Sequence, residues 1–408
     1  MLDPPCQGSP DLKFELAAPP RWKFAAGDRL IGHLIRDTPV VTPKATLKLW
    51  LTGNIRTTIS PPSAKTTQRR YIDDWDLLEQ TGGVIFNGPL HLPHGGENAL
   101  SWPFSIQIPS QTFARQDYMS KKSFLPLTQG HPLPGSFESH GKDRSSESLI
   151  EYALHARLHY TVGASHKVVN ATLPLRIRHP TQEAGPLEFM KFSSPETFMQ
   201  SQRLLPGMED ADLSLRQRTQ KLLGSSKVPM FQYRIVVSLP TVIQLNNRDP
   251  IPIILNIVPS LSNTTASIRD IPRTVRINWI RLHIKHHTTV LALHDFNLSK
   301  AESAKQSWSA DLDLEDAFKQ LKTPLVISTG EDNKAINIGT MLRLSLRSNG
   351  GLFSDDKMLT WTPKTISPDF TTYTIKHTHE LRFNTNVTIA GETQMVKTKA
   401  AVKIIGAD

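Results

Sequence analysis

Apolar and polar residues alternate with a period of two along most of this chain. Leu12, Phe14 and Leu16 alternate with polar neighbours, and Ala45, Leu47, Leu49 and Leu51 share one face opposite Thr46, Lys48 and Thr52. The same rhythm recurs at Leu100, Trp102, Phe104, Ile106 and Ile108, at Ile150 to Tyr160, and at Val169, Ala171, Leu173, Leu175 and Ile177. A strand with one apolar and one polar face belongs to an antiparallel sheet that is buried on one side and wet on the other. After His179 the rhythm fails for about fifty residues, longer than an ordinary connection. Within that gap, Met208 to Leu223 reads as a short helix with acids early and bases late, and Gly224 can end it.

Alternation resumes at Tyr233, Ile235, Val237 and Leu239, and again at Ile251, Ile253, Leu255 and Ile257. Between Val275 and Ile284 the apolar face changes phase, as a bulge or a strand buried on both sides would require. Two long strands are expected at Tyr373–Ile389 and Gln394–Ile405. Pro109–Ser148 and Ser299–Thr323 read as polar loops, the second with helical potential near Leu312–Leu321. The pattern predicts an all-β chain of two immunoglobulin-like antiparallel β-sandwich domains in tandem with few short helices. They span 11–180 and 229–406, joined by a connector over 181–228.

A length of 408 residues fits two domains at roughly 100–200 residues each. The 30 prolines and 22 glycines punctuate many turns, which suits short strands better than long helices. The single cysteine, Cys6, excludes an internal disulfide and points to a reducing compartment. The N-terminal residues carry no apolar leader, and no stretch approaches the roughly 18 apolar residues of a membrane span, so a cytoplasmic protein is expected. Without a leader, the Asn-x-Ser/Thr triplets at Asn170, Asn263, Asn297 and Asn386 are chance occurrences. The formal net charge of +10 raises the question of nucleic acid or anionic membrane. The bases are dispersed and no helix-turn-helix, zinc-finger or RNA-recognition signature accompanies them, so nucleic acid is not expected.

No catalytic constellation is visible. G-x-S-x-G, H-E-x-x-H, the phosphate loop and G-x-G-x-x-G are all missing, so the chain is not expected to be an enzyme or to carry a cofactor. In His283-Ile-Lys-His286-His287, a strand would put His283 and His287 on one face and His286 on the other, with Lys285 repelling a cation, so no metal is expected there. His377 and His379 share the apolar face of their strand, where either a metal pair or a hydrogen-bonded core pair would satisfy them.

Several short motifs follow one another in a familiar order. Phe24-Ala-Ala-Gly27-Asp28-Arg-Leu30-Ile-Gly32 feeds a turn into a strand, with Gly32 suited to a close backbone approach. It is followed by the apolar strand Ala45–Gly53, Trp102-Pro-Phe104-Ser-Ile106-Gln-Ile108-Pro109, Leu133-Pro134-Gly-Ser-Phe137 with Ile150-Glu-Tyr152-Ala-Leu154, and finally Tyr373-Thr-Ile375-Lys-His377-Thr-His379-Glu-Leu381. In order and spacing this resembles the alpha-arrestins, and the chain is similar to divergent arrestin-like proteins of filamentous fungi. The N-terminal half carries most of the resemblance.

The resemblance implies two side-by-side sandwiches without cofactor. It also implies an adaptor that binds cytosolic parts of transporters or receptors and directs their trafficking, endocytosis or ubiquitylation, at times peripherally at the plasma membrane or endosome. An arrestin-fold sorting subunit of a retromer-like complex is an alternative, as is a β-sandwich ligand-binding protein or enzyme. Alpha-arrestins recruit a ubiquitin ligase through P-P-x-Y. Here Pro4-Pro5, Pro19-Pro20 and Pro61-Pro62 lack the tyrosine and no proline-rich tail follows the last strand, so direct recruitment is not expected; recruitment through a bridging protein and retention of only the cargo-binding half of the role are the alternatives. In the region where arrestins receive anionic cargo stand Lys13, Arg21 and Lys23. A second basic set, Lys397, Lys399 and Lys403, lies on one face of the last strand. Both sets suit acidic tails, and the second also suits anionic lipid; solvated edge charges are the alternative for each.

Overall fold

The computed structural model describes all residues except 1–6, 9–10, 61–70, 80, 95–98, 115–121, 143–144, 184, 226, 295–296, 320, 322, 331–332, 363–364 and 407–408. Cys6, Pro4-Pro5 and Pro61-Pro62 therefore lie outside the described residues. The chain is all-β, arranged as antiparallel sheets in two compact units.

The first unit contains residues 1–180 together with Thr288–Gln306 and Phe370–His377. Its principal strands are β1 (Lys13–Leu16), β2 (Arg29–Arg36), β3 (Val40–Ile59), β4 (Tyr71–Asp76), β5 (Thr81–Leu92), β6 (Leu100–Gln107), β7 (Ser146–Val162) and β8 (Ser165–Ile177). In the larger sheet β8 pairs with β7, β7 with β3, and β3 with both β4 and β5. The smaller sheet runs β1–β2–β6. Leu30, Leu34, Trp102 and Phe104 of the smaller sheet share one core with Leu47, Leu49, Leu51, Leu154, Ala156 and Leu158 of the larger. Alternation puts every second side chain of each strand into that core and its neighbours into solvent.

Two glycines of the motif-bearing segment have separate reasons. Gly27 turns with φ +89° and open space around it, whereas a Cβ on Gly32 would stand 2.2 Å from the Glu15 carbonyl oxygen on the paired strand β1. Arg36 follows the buried parity of Leu30 and Leu34 and is itself buried. Its Nε donates to the Thr38 carbonyl at 3.0 Å, and its guanidinium lies 5.2 Å from the Tyr160 ring centre.

The second unit contains Thr181–His287, Ser307–Asp369 and Thr378–Asp408. The segment read from sequence as a connector is part of it. Phe189–Ser193 and Thr197–Gln200 are strands paired with β9 (Met230–Pro240), and β10 (Ile254–Pro259) pairs with the other edge of β9. These strands are only four or five residues long, too short to establish a rhythm. Helix α1 covers only Leu215–Leu222, shorter than expected, because the Ser214–Gln217 capping box fixes its start. Gly224, at φ +62°, follows its end.

The second sheet is ordered β14–β13–β11–β12, where β11 is Thr274–His294, β12 is Asn297–Asp313, β13 is Ile375–Ile389 and β14 is Glu392–Ile405. Strands β11, β12 and β13 supply residues to both units, so a contiguous second domain over 229–406 does not describe the division. Much of Ser299–Thr323, expected as a loop, is strand β12, followed by the short helix Glu315–Lys319. Its buried face includes Gln306, whose side chain bonds Ser146 and Ser148, and Ala310, so the apolar rhythm is weak. In β11 the buried parity changes between Ile277 and Ile280, at the phase change seen in the sequence. Ile235, Val237, Leu239, Leu255, Ile280, Phe383, Val396 and Ala400 contribute to one core.

Replacing Gly32 by valine is expected to destabilise the protein by about 3 kcal/mol, since the obstructing atom is backbone. Gly27→Ala, with only its φ to strain, is expected to cost about 1 kcal/mol. Urea unfolding with an unchanged slope measures both.

Candidate anion-binding surface

Of the basic residues selected from sequence, Lys13, Arg21 and Lys23 belong to the first unit and Lys397, Lys399 and Lys403 to the second. They are therefore two separate candidates. Lys13 opens β1 and pairs with Asp37 at 2.8 Å, both side chains being more than half exposed. The hydrogen bond and the charge of Asp37 hold the Lys13 ammonium above its ordinary value, and the same hydrogen bond lowers Asp37 despite some desolvation. This cation is already answered by a carboxylate of its own unit. Arg21 sits at φ 65°, in a turn ahead of the short strand Lys23–Phe24, which pairs in parallel with the end of β8. Between Arg21 and Lys23 the Trp22 side chain is exposed. Lys23 also acts inward: His179 is pushed down to about 4, first by burial and then by the Lys23 charge. The His179 Nδ1 accepts from the Gly135 backbone N at 3.2 Å, and its ring stands 4.6 Å from Phe370, an arrangement that requires neutral imidazole.

The second candidate is more regular. The hairpin β13–β14 turns through Ala390 and Gly391, both with positive φ, which suits a tight two-residue connection. The turn fixes the register, so Val396, Thr398, Ala400 and Val402 are buried and Lys397, Lys399 and Lys403 are exposed. At about 3.4 Å per residue the lysine row extends for roughly 20 Å. Arg382 lies opposite Lys399 on β13, and its Nε donates to Glu380 at 2.5 Å. Burial works to raise the Glu380 carboxyl, but the Arg382 hydrogen bond and the charges of Arg382, His287 and Lys399 outweigh it, so the group sits below the ordinary glutamate value. The surface is thus a row of ammonium groups beside one guanidinium–carboxylate pair.

The histidines of the second unit take structural places. His283 bonds Asp311 through Nδ1 at 2.5 Å and Asn384 through Nε2 at 2.8 Å. His286 is buried, stacks on Trp308 with centres 3.7 Å apart, and meets His379 edge-on at 4.6 Å. The Nδ1 of His379 is held by Asp369 at 2.5 Å, and the same carboxylate oxygen accepts from the Ile404 backbone N at 3.1 Å. Ligand nitrogens of His286 and His379 lie within 4.8 Å of each other, but two imidazoles do not complete a metal site. In the first unit, His377 bonds Thr288 at 2.9 Å and packs against Phe137 and Phe370.

A basic group that sequence reading missed lies in the former connector, where Arg203, Arg218 and Lys221 border a shallow pocket with Leu213, Leu222 and Glu392. The signal was the spacing of Leu215 and Leu222 on a short helix, but which face of that helix docks cannot be read from its own residues. No described helix is long and apolar enough to cross a membrane. No protein-family model matches the chain, and no curated protein matches it.

The His179 contribution to stability is present above about pH 6.5 and is lost as pH falls toward about 4, because the unfolded chain takes up the proton first. Urea titrations across that range are expected to show a loss of up to about 3 kcal/mol, and His179→Asn is expected to remove most of that slope. Asp369→Ala, which strips both His379 and Ile404 of their acceptor, is expected to cost about 3 kcal/mol by the same assay, and Asp369→Asn less.

Proposed function

We propose that this chain is a non-enzymatic adaptor of the arrestin-like kind, binding acidic or phosphorylated cytosolic segments of membrane proteins and directing their trafficking. The observation that carries the reading is the exposed row Lys397, Lys399 and Lys403 on the hairpin β13–β14. Same-face side chains of a strand stand about 6.8 Å apart, so Lys397 and Lys399 match acids two residues apart on an extended peptide and Lys403, about 13.6 Å beyond Lys399, matches an acid four residues further on. Charge-assisted hydrogen bonds from ammonium groups then supply affinity, and the fixed spacing supplies preference for extended acidic or phosphorylated cargo. Arg21 and Lys23, flanking exposed Trp22, offer a second contact on the first unit, and Lys13 contributes less because Asp37 occupies it.

The order of the motifs from Phe24–Gly32 to Tyr373–Leu381 supports the arrestin-like part of the reading, as does the pair of β-sandwich units. In this role the protein works in the cytoplasm and peripherally at the plasma membrane or endosome, and a ubiquitin ligase joins through a bridging protein.

Affinity purification of the full chain from its own cells tests the proposal. Transporters or receptors, with ubiquitin-system proteins, are expected among the partners. The Lys397→Glu, Lys399→Glu, Lys403→Glu variant is expected to recover them about tenfold less well. A partner set without membrane or ubiquitin-system proteins, unchanged by the variant, would overturn it.

A further inference from the structure

Helix α1 buries no residue, and its polar side is the less exposed one. Gln217 and Gln220 are half-buried, and Lys221 reaches Glu392 of β14 at 2.7 Å, with Leu213 buried just before the helix. On the opposite side Leu215, Leu222 and Leu223 are 82%, 86% and 78% exposed. Leu215 and Leu222 are two helical turns apart and share a face, with Thr219 between them. An ordinary surface helix buries such a stripe and exposes its polar side; here the arrangement is inverted. The Ser214–Gln217 capping box and Gly224 bound the helix, and the Lys221–Glu392 ion pair ties its inner side to β14.

Charge says what the face meets. The acids of this segment, Glu209, Asp210 and Asp212, all precede the N-cap, and the helix itself carries Arg216, Arg218 and Lys221 and no acid. Arg216 and Arg218 fall on opposite flanks of the leucine stripe by helical geometry. Beside the stripe opens the pocket of about 390 Å³, bordered by Arg203, Arg218 and Lys221 against the single carboxylate of Glu392, with apolar walls from Leu213 and Leu222. An apolar stripe flanked by cations, next to a cationic hollow, matches the boundary between acyl chains and phosphate headgroups.

We propose that α1 is a membrane-surface helix for anionic bilayers, with Leu215, Leu222 and Leu223 entering the acyl boundary and Arg203 and Arg218, at the pocket beside them, meeting a lipid phosphate headgroup while Lys221 stays paired with Glu392. The inference does not rest on the adaptor reading, since the cargo-binding lysines lie on another face of strand β14 from the pocket residue Glu392. Membrane docking through α1 would place the protein beside membrane-borne partners whatever those partners are.

Co-sedimentation of the full chain with vesicles tests it. Binding is expected to phosphatidylcholine vesicles containing phosphatidylserine, to be weak on phosphatidylcholine alone, and to fall with salt. Leu215→Ser, Leu222→Ser, Leu223→Ser, which changes only exposed side chains, is expected to lower binding at least about tenfold with an unchanged circular dichroism spectrum. Arg216→Glu, Arg218→Glu is expected to do the same, and Arg216→Lys, Arg218→Lys to retain binding. Equal binding by the serine variant, or equal binding to both vesicle types, would overturn the proposal. So would self-association without vesicles that the serine variant abolishes, which would assign the face to a second copy. Displacement of the protein by inorganic phosphate at constant ionic strength, independent of the leucines, would make the pocket a site for soluble anions and overturn the lipid assignment.

Discussion

The first unit depends on the antiparallel register between β3 and β7. Leu47, Leu49 and Leu51 stand opposite Leu158, Ala156 and Leu154, and all six are buried. A slip of one residue would turn this whole set toward water, so the register is fixed by the hydrophobic effect along its full length. One position adds a steric lock. Gly53 faces Tyr152, where a Cβ would stand 2.6 Å from the tyrosine ring. The ring fills the space that the glycine leaves, and its hydroxyl donates to the Pro134 carbonyl at 2.6 Å. The motif Leu133-Pro134-Gly-Ser-Phe137 is thereby tied to the strand that carries Ile150-Glu-Tyr152-Ala-Leu154, which gives a physical reason for the two segments to occur together.

The second unit applies the same constraint to β13 and β14. Burying Phe383, Val387, Val396 and Ala400 leaves Lys397, Lys399 and Lys403 only the opposite face. The core thus orients the candidate cargo surface. The same strand also supplies Glu392, whose burial would raise its carboxyl but whose bonds to Lys221 and Ser201, with the charges of Lys221 and Arg203, hold it below the ordinary value and ionised. That carboxylate pairs with Lys221 on the side of α1 opposite its exposed leucines. One hairpin sets the geometry of both proposed contacts.

Legibility in the sequence followed the strength of the local rhythm. The strands around Leu47–Leu51, Ile150–Tyr160 and Val396–Ile404 were plain because each alternates over many residues, and the exposed parity of the three lysines followed from it. Strand β12 was hidden because its inward face holds Gln306 and Ala310. The strands Phe189–Ser193 and Thr197–Gln200 were hidden by their shortness. Partners distant in sequence were not legible at all. Nothing near Lys13 indicates that Asp37 answers it, and nothing within α1 indicates that Glu392 captures Lys221. Arg36 could have been found, since it continues the buried parity of Leu30 and Leu34.

The proposed recognition of extended acidic segments rests on the charge of the lysine row on β14. Fluorescence anisotropy of a labelled acidic phosphopeptide, titrated with the full chain at increasing salt, tests it most directly. Binding is expected to be tightest at low salt, to weaken steadily as the Debye length shrinks below about 10 Å, and to be lost when Lys397, Lys399 and Lys403 are reversed in charge. No binding at low salt, or binding indifferent to both salt and those three lysines, would contradict it.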